Sequence, residues 1–279
     1  GVARNIGVAH ASGEIIFYLD SDIALAPDAV ATAVEILQSD PTIGAVCGTQ
    51  DPEPLVRPTL VAQYRGLQYH FWQLSSQGNV SFLFPSLCAI PAHVHTEIGT
   101  FNSKLKQTEE VDFGYRLSQR YQLRLTPLIK GRHAHDDRLR VLLRKLFQRG
   151  RLRVPLYARA RHFATGFETR QRAWASLAAA ASLPALGLSL LFGPWGLLVP
   201  VLLVALSIAG DGGMYKFVYQ RRGPGFLAFF AGMHYLVNLT IVAGVVTGVA
   251  QWSVSDTFRR LYDEPSTPPA ADNLSSSVS

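Results

Sequence analysis

Between Ala173 and Gly210 the chain runs for 38 residues without a formal charge, and this run limits its fold more than any other feature. It is rich in Leu, Ala and Val, the composition of a segment held in a lipid bilayer. As one helix rising 1.5 Å per residue it would be about 57 Å long, against a hydrocarbon core of about 30 Å, so it accommodates two passes. The break falls at Phe192-Gly193-Pro194-Trp195-Gly196, a turn-forming stretch with an interfacial aromatic. A further uncharged stretch, Phe226 to Trp252, is long enough for a third pass. The expected membrane region is 173–252, with spans at 173–191, 195–210 and 226–250. A buried helical hairpin of a soluble protein is the alternative reading of so long a run.

Charge is distributed to match. Eleven of the 26 Lys and Arg lie between Arg138 and Arg172, where Glu168 is the one acid; that segment carries +10 and leaves −4 for the rest of a chain whose total is +6. Leu139, Leu142, Leu143, Leu146 and Phe147 recur there at helical spacing, with cations elsewhere around the helix. Residues 136–172 therefore read as a basic amphipathic segment lying on a membrane surface; the alternative packs those leucines on the preceding domain. Cations in this segment and in the loop with Lys216, Arg221 and Arg222 predict that both are cytoplasmic, in a multi-pass protein of the plasma (inner) membrane. Three passes put residues from Ser253 on the far side, and 253–279, rich in Pro and Ser after Pro265, read as a disordered tail. The segment lacks aromatics interleaved for base stacking and runs into a span, so no nucleic-acid partner is expected.

Residues 1–135 alternate between two periodicities. Helical patterns at Val2–Ala11, Pro27–Gln38, Thr59–Leu74, Pro91–Ile98 and Thr108–Tyr121 separate extended ones at Glu14–Leu19, Ile43–Gly48, Phe82–Ile90 and Leu123–Leu128. Strands alternating with helices imply an α/β domain whose sheet is covered on both faces. Two cysteines, Cys47 and Cys88, sit in apolar strand-like surroundings and read as buried small residues of a reducing compartment.

Two acidic clusters carry the chemistry of this domain. Asp20-Ser21-Asp22 follows the apolar run Ile15–Leu19, so two carboxylates emerge on one side where a strand ends, which is where open α/β sheets bind ligands. Oxygen ligands of this kind suit Mg²⁺ or Mn²⁺; the bland alternative is a turn with a helix cap. Thr108-Glu109-Glu110-Val111-Asp112 opens a helix, where a cap and the helix dipole account for one or two acids but not comfortably for three. A carboxylate here, near an acceptor hydroxyl, could serve as general base.

Four motifs in this order resemble family 2 glycosyltransferases of the GT-A fold, in their membrane-anchored bacterial form. They are Ala3-Arg4-Asn5-Ile6-Gly7, Ala11-Ser12-Gly13-Glu14 running into Asp20-Ser21-Asp22, Glu97-Ile98-Gly99-Thr100-Phe101-Asn102, and Glu109-Glu110-Val111-Asp112-Phe113-Gly114-Tyr115-Arg116-Leu117. The resemblance covers roughly the first 150 residues and implies a partial GT-A (Rossmann-like) nucleotide-sugar transferase domain. By it, Asp20 and Asp22 hold a Mn²⁺ or Mg²⁺ ion on the donor's diphosphate, and Glu110 is the base. The family usually has Asp at that position, which leaves Glu109 as the alternative. His135, of the pair His133-Ala134-His135, is implied as a third metal ligand or diphosphate contact. Arg4, Asn5, Asp20, Gln148 and Arg151 are the implied donor-binding residues. Gln148-Arg149-Gly150-Arg151-Leu152 stands where processive members carry Gln-x-x-Arg-Trp, with Leu152 replacing the Trp.

The implied reaction is inverting and metal-dependent. A sugar moves from a nucleoside-diphosphate donor to a membrane lipid, polyprenyl-linked or glycan acceptor of the cell envelope. A processive polysaccharide synthase is the same-class alternative, which Leu152 argues against. The family's strand and loop for the base would precede Gly1, so the chain reads as N-terminally truncated, and a catalytically incomplete membrane scaffold is the alternative of another class. The stretch Phe84-Pro85-Ser86-Leu87-Cys88 stands where relatives have a turn near the donor sugar.

Overall fold

The computed structural model describes residues 1–105, 108–160, 166 and 169–263. In chain order the first part comprises α1 (Val2–His10), β1 (Ile15–Leu19), β2 (Ile23–Leu25), α2 (Ala29–Ser39), β3 (Ile43–Gln50), α3 (Leu60–Leu74), β4 (Gly78–Val80), β5 (Leu87–Pro91), α4 (Ala92–Ile98), α5 (Glu109–Ser118) and β6 (Gln122–His133). The expected helices and strands are all present within a few residues. The short strands β2 and β4 were not expected, since three residues carry no readable periodicity. The stretch 82–86, expected as extended, is a loop leading into β5.

The sheet order is β1-β5-β3-β6-β2, with β4 on the other half of β6. Strand β5 is antiparallel to both β1 and β3, and β3 is parallel to β6. Hence β1, β3 and β6 all run the same way. Their carboxyl ends, at Leu19, Gln50 and His133, open on one edge of the sheet, and everything that matters below is hung there. Alternation along β5 assigns the faces: Leu87 and Ala89 pack with Ala29, Ala33 and Leu37 of α2, while Cys88 and Ile90 face Phe101, Phe113 and Leu117. Both faces are covered, as the alternating pattern implied. The cysteines are buried and unbridged.

The second part is helical: α6 (Leu139–Ala160), α7 (Arg170–Ala185), α8 (Leu188–Phe192), a 3-10 turn at Gly193–Leu197, α9 (Leu198–Ala209), α10 (Gly212–Val254) and α11 (Asp256–Arg259). The turn at 193–196 is where the sequence placed it. A Cβ on Gly196 would collide with the Leu188 carbonyl, so the chain doubles back tightly there. Helix α9 then returns along α7 until Gly210 meets Ala175 and Asp211 accepts a hydrogen bond from Arg172 Nε at 3.2 Å. The outer part of this hairpin is apolar and exposed, including Leu190, Leu191, Phe192, Trp195 and Val201. Two helical stretches, Leu188–Ala209 and Gly212–Val254, are long and apolar enough to cross a membrane by length and composition.

The stretch expected as a third span does not stand apart. Helix α10 bends at Gly223 (φ +76°) before Pro224, and its second half returns along α6. A Cβ on Gly244 would strike the Phe147 carbonyl and one on Gly248 the Arg151 carbonyl, so the two backbones touch. Residues 255–263, expected across the membrane in a disordered tail, fold onto α5 and α6, with Phe258 and Tyr262 buried. Residues 264–279 of that tail lie outside the described residues. Mean hydropathy could not foresee this, because His234, Asn238, Gly244 and Gly248 are too few to break an apolar average yet place a polar, close-packing stripe on one face.

Helix α6 also departs from expectation. Leu139 is exposed, but the middle of its leucine stripe is not: Leu142 and Leu146 are buried against Tyr64 and Leu67 of α3 and Met214, Val218 and Val237 of α10. The alternative, packing onto the preceding domain, is half of what occurs, and α10 supplies the other half.

Candidate active site

Arg4 organises the site. Its Nη2 donates to Asp20 Oδ1 and its Nη1 to Glu109 Oε1, each at 3.1 Å, so one guanidinium joins the end of β1 to the start of α5. The two acidic clusters, 89 residues apart at Asp20 and Glu109, therefore meet through one arginine at the carboxyl edge of the sheet. Asn5, one residue on, does something else. Its amide donates to the Phe101 carbonyl at 2.8 Å and its carbonyl accepts from Phe101 N–H at 2.9 Å, so both ends are occupied in clamping the loop 98–102. Asn5, expected at the donor, is thus engaged in holding this loop; a side-chain amide matches a backbone unit group for group.

The three acids of α5 go three ways. Glu109 is buried and bound to Arg4. Asp112 accepts from Arg116 Nε and Nη2 at 3.1 Å, and Arg116 continues to the carbonyls of Ile98 and Thr100, so this carboxylate orients an arginine that ties α5 to the same loop. Burial pushes the Asp112 carboxyl above its usual range, against the lowering effect of Arg116. Glu110 is half-buried and makes no side-chain hydrogen bond or ion pair among the described residues. Burial pushes its carboxyl above the usual range; Glu109 adds to this, while Arg149 and Arg153 of α6 pull it down. A carboxylate that is uncommitted, partly open and raised in pKa is suited to accept a proton near neutral pH. Between the two candidates the geometry favours Glu110, because Glu109 is engaged by Arg4.

Two residues beyond Asp20, Asp22 is half-exposed and lies 3.4 Å from His133 Nε2. His133 Nδ1 stands 3.0 Å from His135 Nδ1. If His133 presents its Nε2–H to Asp22, its Nδ1 must accept, so His135 donates from Nδ1 and keeps a lone pair on Nε2. That Nε2 is buried without a partner. Burial, with His133 and Arg65 adding, drives the His135 pKa down to about 2, so the ring is neutral. Asp22 and His135, the latter expected as a third metal ligand or diphosphate contact, are linked through a third side chain. His133, two residues earlier and on the same side of the strand end, stands between them.

Among the described residues no three His, Cys, Asp or Glu side chains converge as a closed metal cage. The donor set still fits Mg²⁺ or Mn²⁺. Such ions keep waters and substrate phosphates beside one or two carboxylates, and Asp20 and Asp22 present oxygens of that kind at an open position.

The Gln148 side chain makes no hydrogen bond among the described residues. Arg151 Nη1 donates to Gln251 Oε1 at 3.0 Å and its guanidinium lies over the Phe258 ring, so Arg151, expected at the donor, fastens α10 and α11 to α6. Sequence reasoning missed Gln50, which ends β3 and donates from Nε2 to Ser86 Oγ at 3.2 Å, while the Ser86 carbonyl accepts from Asp20 N–H. The signal was there: a polar residue closing a fully buried strand marks the functional edge. The loop 84–86, expected near the donor, does border Asp20. Arg65 of α3 was also missed. It is buried on the Tyr69 ring, 4.7 Å from guanidinium carbon to ring centre, with its pKa lowered by burial to about 10.

Residues 1–98 match the family described as Glycosyl transferase family 2. No curated protein matches the chain. A solved structure similar to it is the mannosyltransferase PcManGT from Pyrobaculum calidifontis, in complex with GDP-Man and Mn²⁺, at 18% identity and a TM-score of 0.48. The alignment covers 90% of this chain and 66% of that one, so the chain spans about two thirds of its length.

Proposed function

We propose that the chain, whose residues 1–98 match glycosyl transferase family 2, transfers a sugar, with inversion, from a nucleoside-diphosphate donor to a lipid- or glycan-borne hydroxyl at a membrane. The observation that carries this reading is the Arg4 bridge, which brings Asp20 and the Glu109-Glu110 helix together at the carboxyl edge of the sheet. Asp20 and Asp22 would hold a Mn²⁺ or Mg²⁺ ion, which supplies positive charge to the departing nucleoside diphosphate. Arg4 keeps Asp20 and the start of α5 in register. Glu110 takes the acceptor hydroxyl's proton as that oxygen attacks the anomeric carbon, and the sugar–phosphate bond breaks on the opposite face. The exposed apolar hairpin around Trp195 supports a position at the bilayer, and the catalytic part then works on the face bearing the basic segment.

The test uses the protein expressed at its full natural length in membranes, with labelled nucleotide sugars and Mn²⁺. Glu110→Gln and Asp22→Asn should each lose transfer by at least a hundredfold with folding intact. Full activity in both variants sinks the assignment.

A further inference from the structure

Tyr262 reaches the candidate active site from the far end of the described chain. Its Oη lies 2.7 Å from Thr108 Oγ1 and 2.8 Å from the Leu152 carbonyl oxygen. A carbonyl only accepts, so the single phenolic proton goes to Leu152 and the Thr108 hydroxyl donates its own to Tyr262. Thr108 immediately precedes Glu109 and Glu110 and is fully buried. Its side chain makes no capping bond to its own helix, although its carbonyl accepts from the Val111 and Asp112 amides. The hydroxyl that would ordinarily cap α5 is therefore given to Tyr262.

We propose that Tyr262 is a positioning residue for Glu110, holding the first turn of α5 at a fixed distance from α6. This rests on the base role given to Glu110 above. One phenol bonds α5 through Thr108 and α6 through Leu152, and α6 also carries Arg149 and Arg153, the cations nearest Glu110. The groups facing Glu110 are then Glu109 from its own helix, Arg149 and Arg153 from α6, Tyr69 from α3 and Tyr262 itself. The segment bearing Tyr262 is fastened on both sides. Phe258 lies beneath Arg151, and Arg159 donates to the Tyr262 carbonyl at 2.5 Å and to Asp263 at 3.3 Å. Because Tyr262 follows α10 by eight residues, the apolar helix and the base are joined through a chain of direct contacts.

Tyr262→Phe keeps the ring in the core and removes only the hydroxyl; Thr108→Val removes its partner at nearly the same volume. In the full-length protein each should lower kcat by roughly tenfold to a hundredfold, the scale of a misplacement near 1 Å, with donor KM within about twofold. The double variant should lose no more than the worse single one. Amide exchange at residues 109–112 should quicken in Tyr262→Phe, a readout that does not depend on which carboxylate is the base. The acid limb of the pH–rate profile should move to lower pH as water reaches Glu110, since burial is what chiefly holds that carboxyl up. Wild-type kcat and unchanged exchange in Tyr262→Phe overturn the proposal, and so do fully additive losses in the double variant. If Glu110→Gln stays active while Tyr262→Phe quickens exchange at 109–112, the base assignment fails and the mechanical link stands.

Discussion

Removing the Arg4 guanidinium tests the connection on which the site depends. Arg4→Met keeps most of the stem volume and deletes two charge-assisted hydrogen bonds. The one to Glu109 counts more: that side chain is 11% exposed and its Oε2 is already buried without a partner. Losing the counter-charge of a fully buried carboxylate costs about 3–5 kcal/mol; with Arg4 itself 23% exposed, about 2–3 kcal/mol is appropriate. The bond to Asp20, 39% exposed, adds no more than about 1 kcal/mol because solvent screens it. At roughly 2–4 °C per kcal/mol, the melting temperature should fall by about 4–16 °C in detergent. Glu109→Gln should restore much of that loss in the Arg4→Met background, because a neutral amide needs no cation, whereas alone it should cost stability by leaving Arg4 underused. The Mn²⁺ concentration for half-maximal transfer should also rise by about tenfold to a hundredfold, as when a group that orients a metal ligand is lost. An unchanged melting temperature in Arg4→Met, or no recovery in the double variant, refutes the bridge.

Other consequences can be checked singly. Glu110→Gln should not lower the melting temperature at neutral pH. A carboxyl with a raised folded pKa is stabilising when protonated and loses that contribution as pH climbs through its folded value, and the amide retains the neutral form throughout; a lower melting temperature at pH 7 counts against the burial argument. Gly244→Leu should prevent α10 from docking on α6, costing several kcal/mol and the activity with it, because the added side chain would meet the Phe147 backbone; a protein with normal melting and exchange would contradict that packing. Fluorescence of Trp195 as the sole tryptophan should be quenched by brominated acyl chains in vesicles, since it is exposed at the tip of an apolar hairpin; equal emission with and without bromine excludes insertion.

The domain before α6 was readable because its residues obey two clean periods, and even the strand faces follow from alternation along β5. The helical part was readable only in its outline. Hydropathy marks where apolar helix lies but averages around the helix, so it cannot separate a face that meets lipid from one that meets protein. Leu190, Leu191 and Trp195 are exposed; Leu142, Leu146 and Phe230 are not; all have the same chemistry. What separates them is the glycine and polar stripe of α10, whose glycines meet a helix about a hundred residues earlier and whose His234 and Asn238 meet α3 and α7. A contact of that range leaves no local pattern.

The site divides along the same line. Asp20 and Asp22 were legible because strand ends and paired carboxylates have a fixed geometry relative to the chain. The three acids of α5 were legible as a surplus, one that a cap and a helix dipole do not absorb, but not as individuals. Their separate uses are set by Arg4, which arrives from α1, by Arg116, one turn on, and by the absence of any such partner for Glu110 among the described residues. Counter-ions from distant segments therefore do the assigning. The same logic explains why Arg151, promising in sequence, serves α10, while Tyr262, in a stretch that reads as tail, bonds Thr108 at the head of α5. A residue's neighbours along the chain indicate which chemistry is available to it; which part of that chemistry it performs is decided by what the fold has already bound.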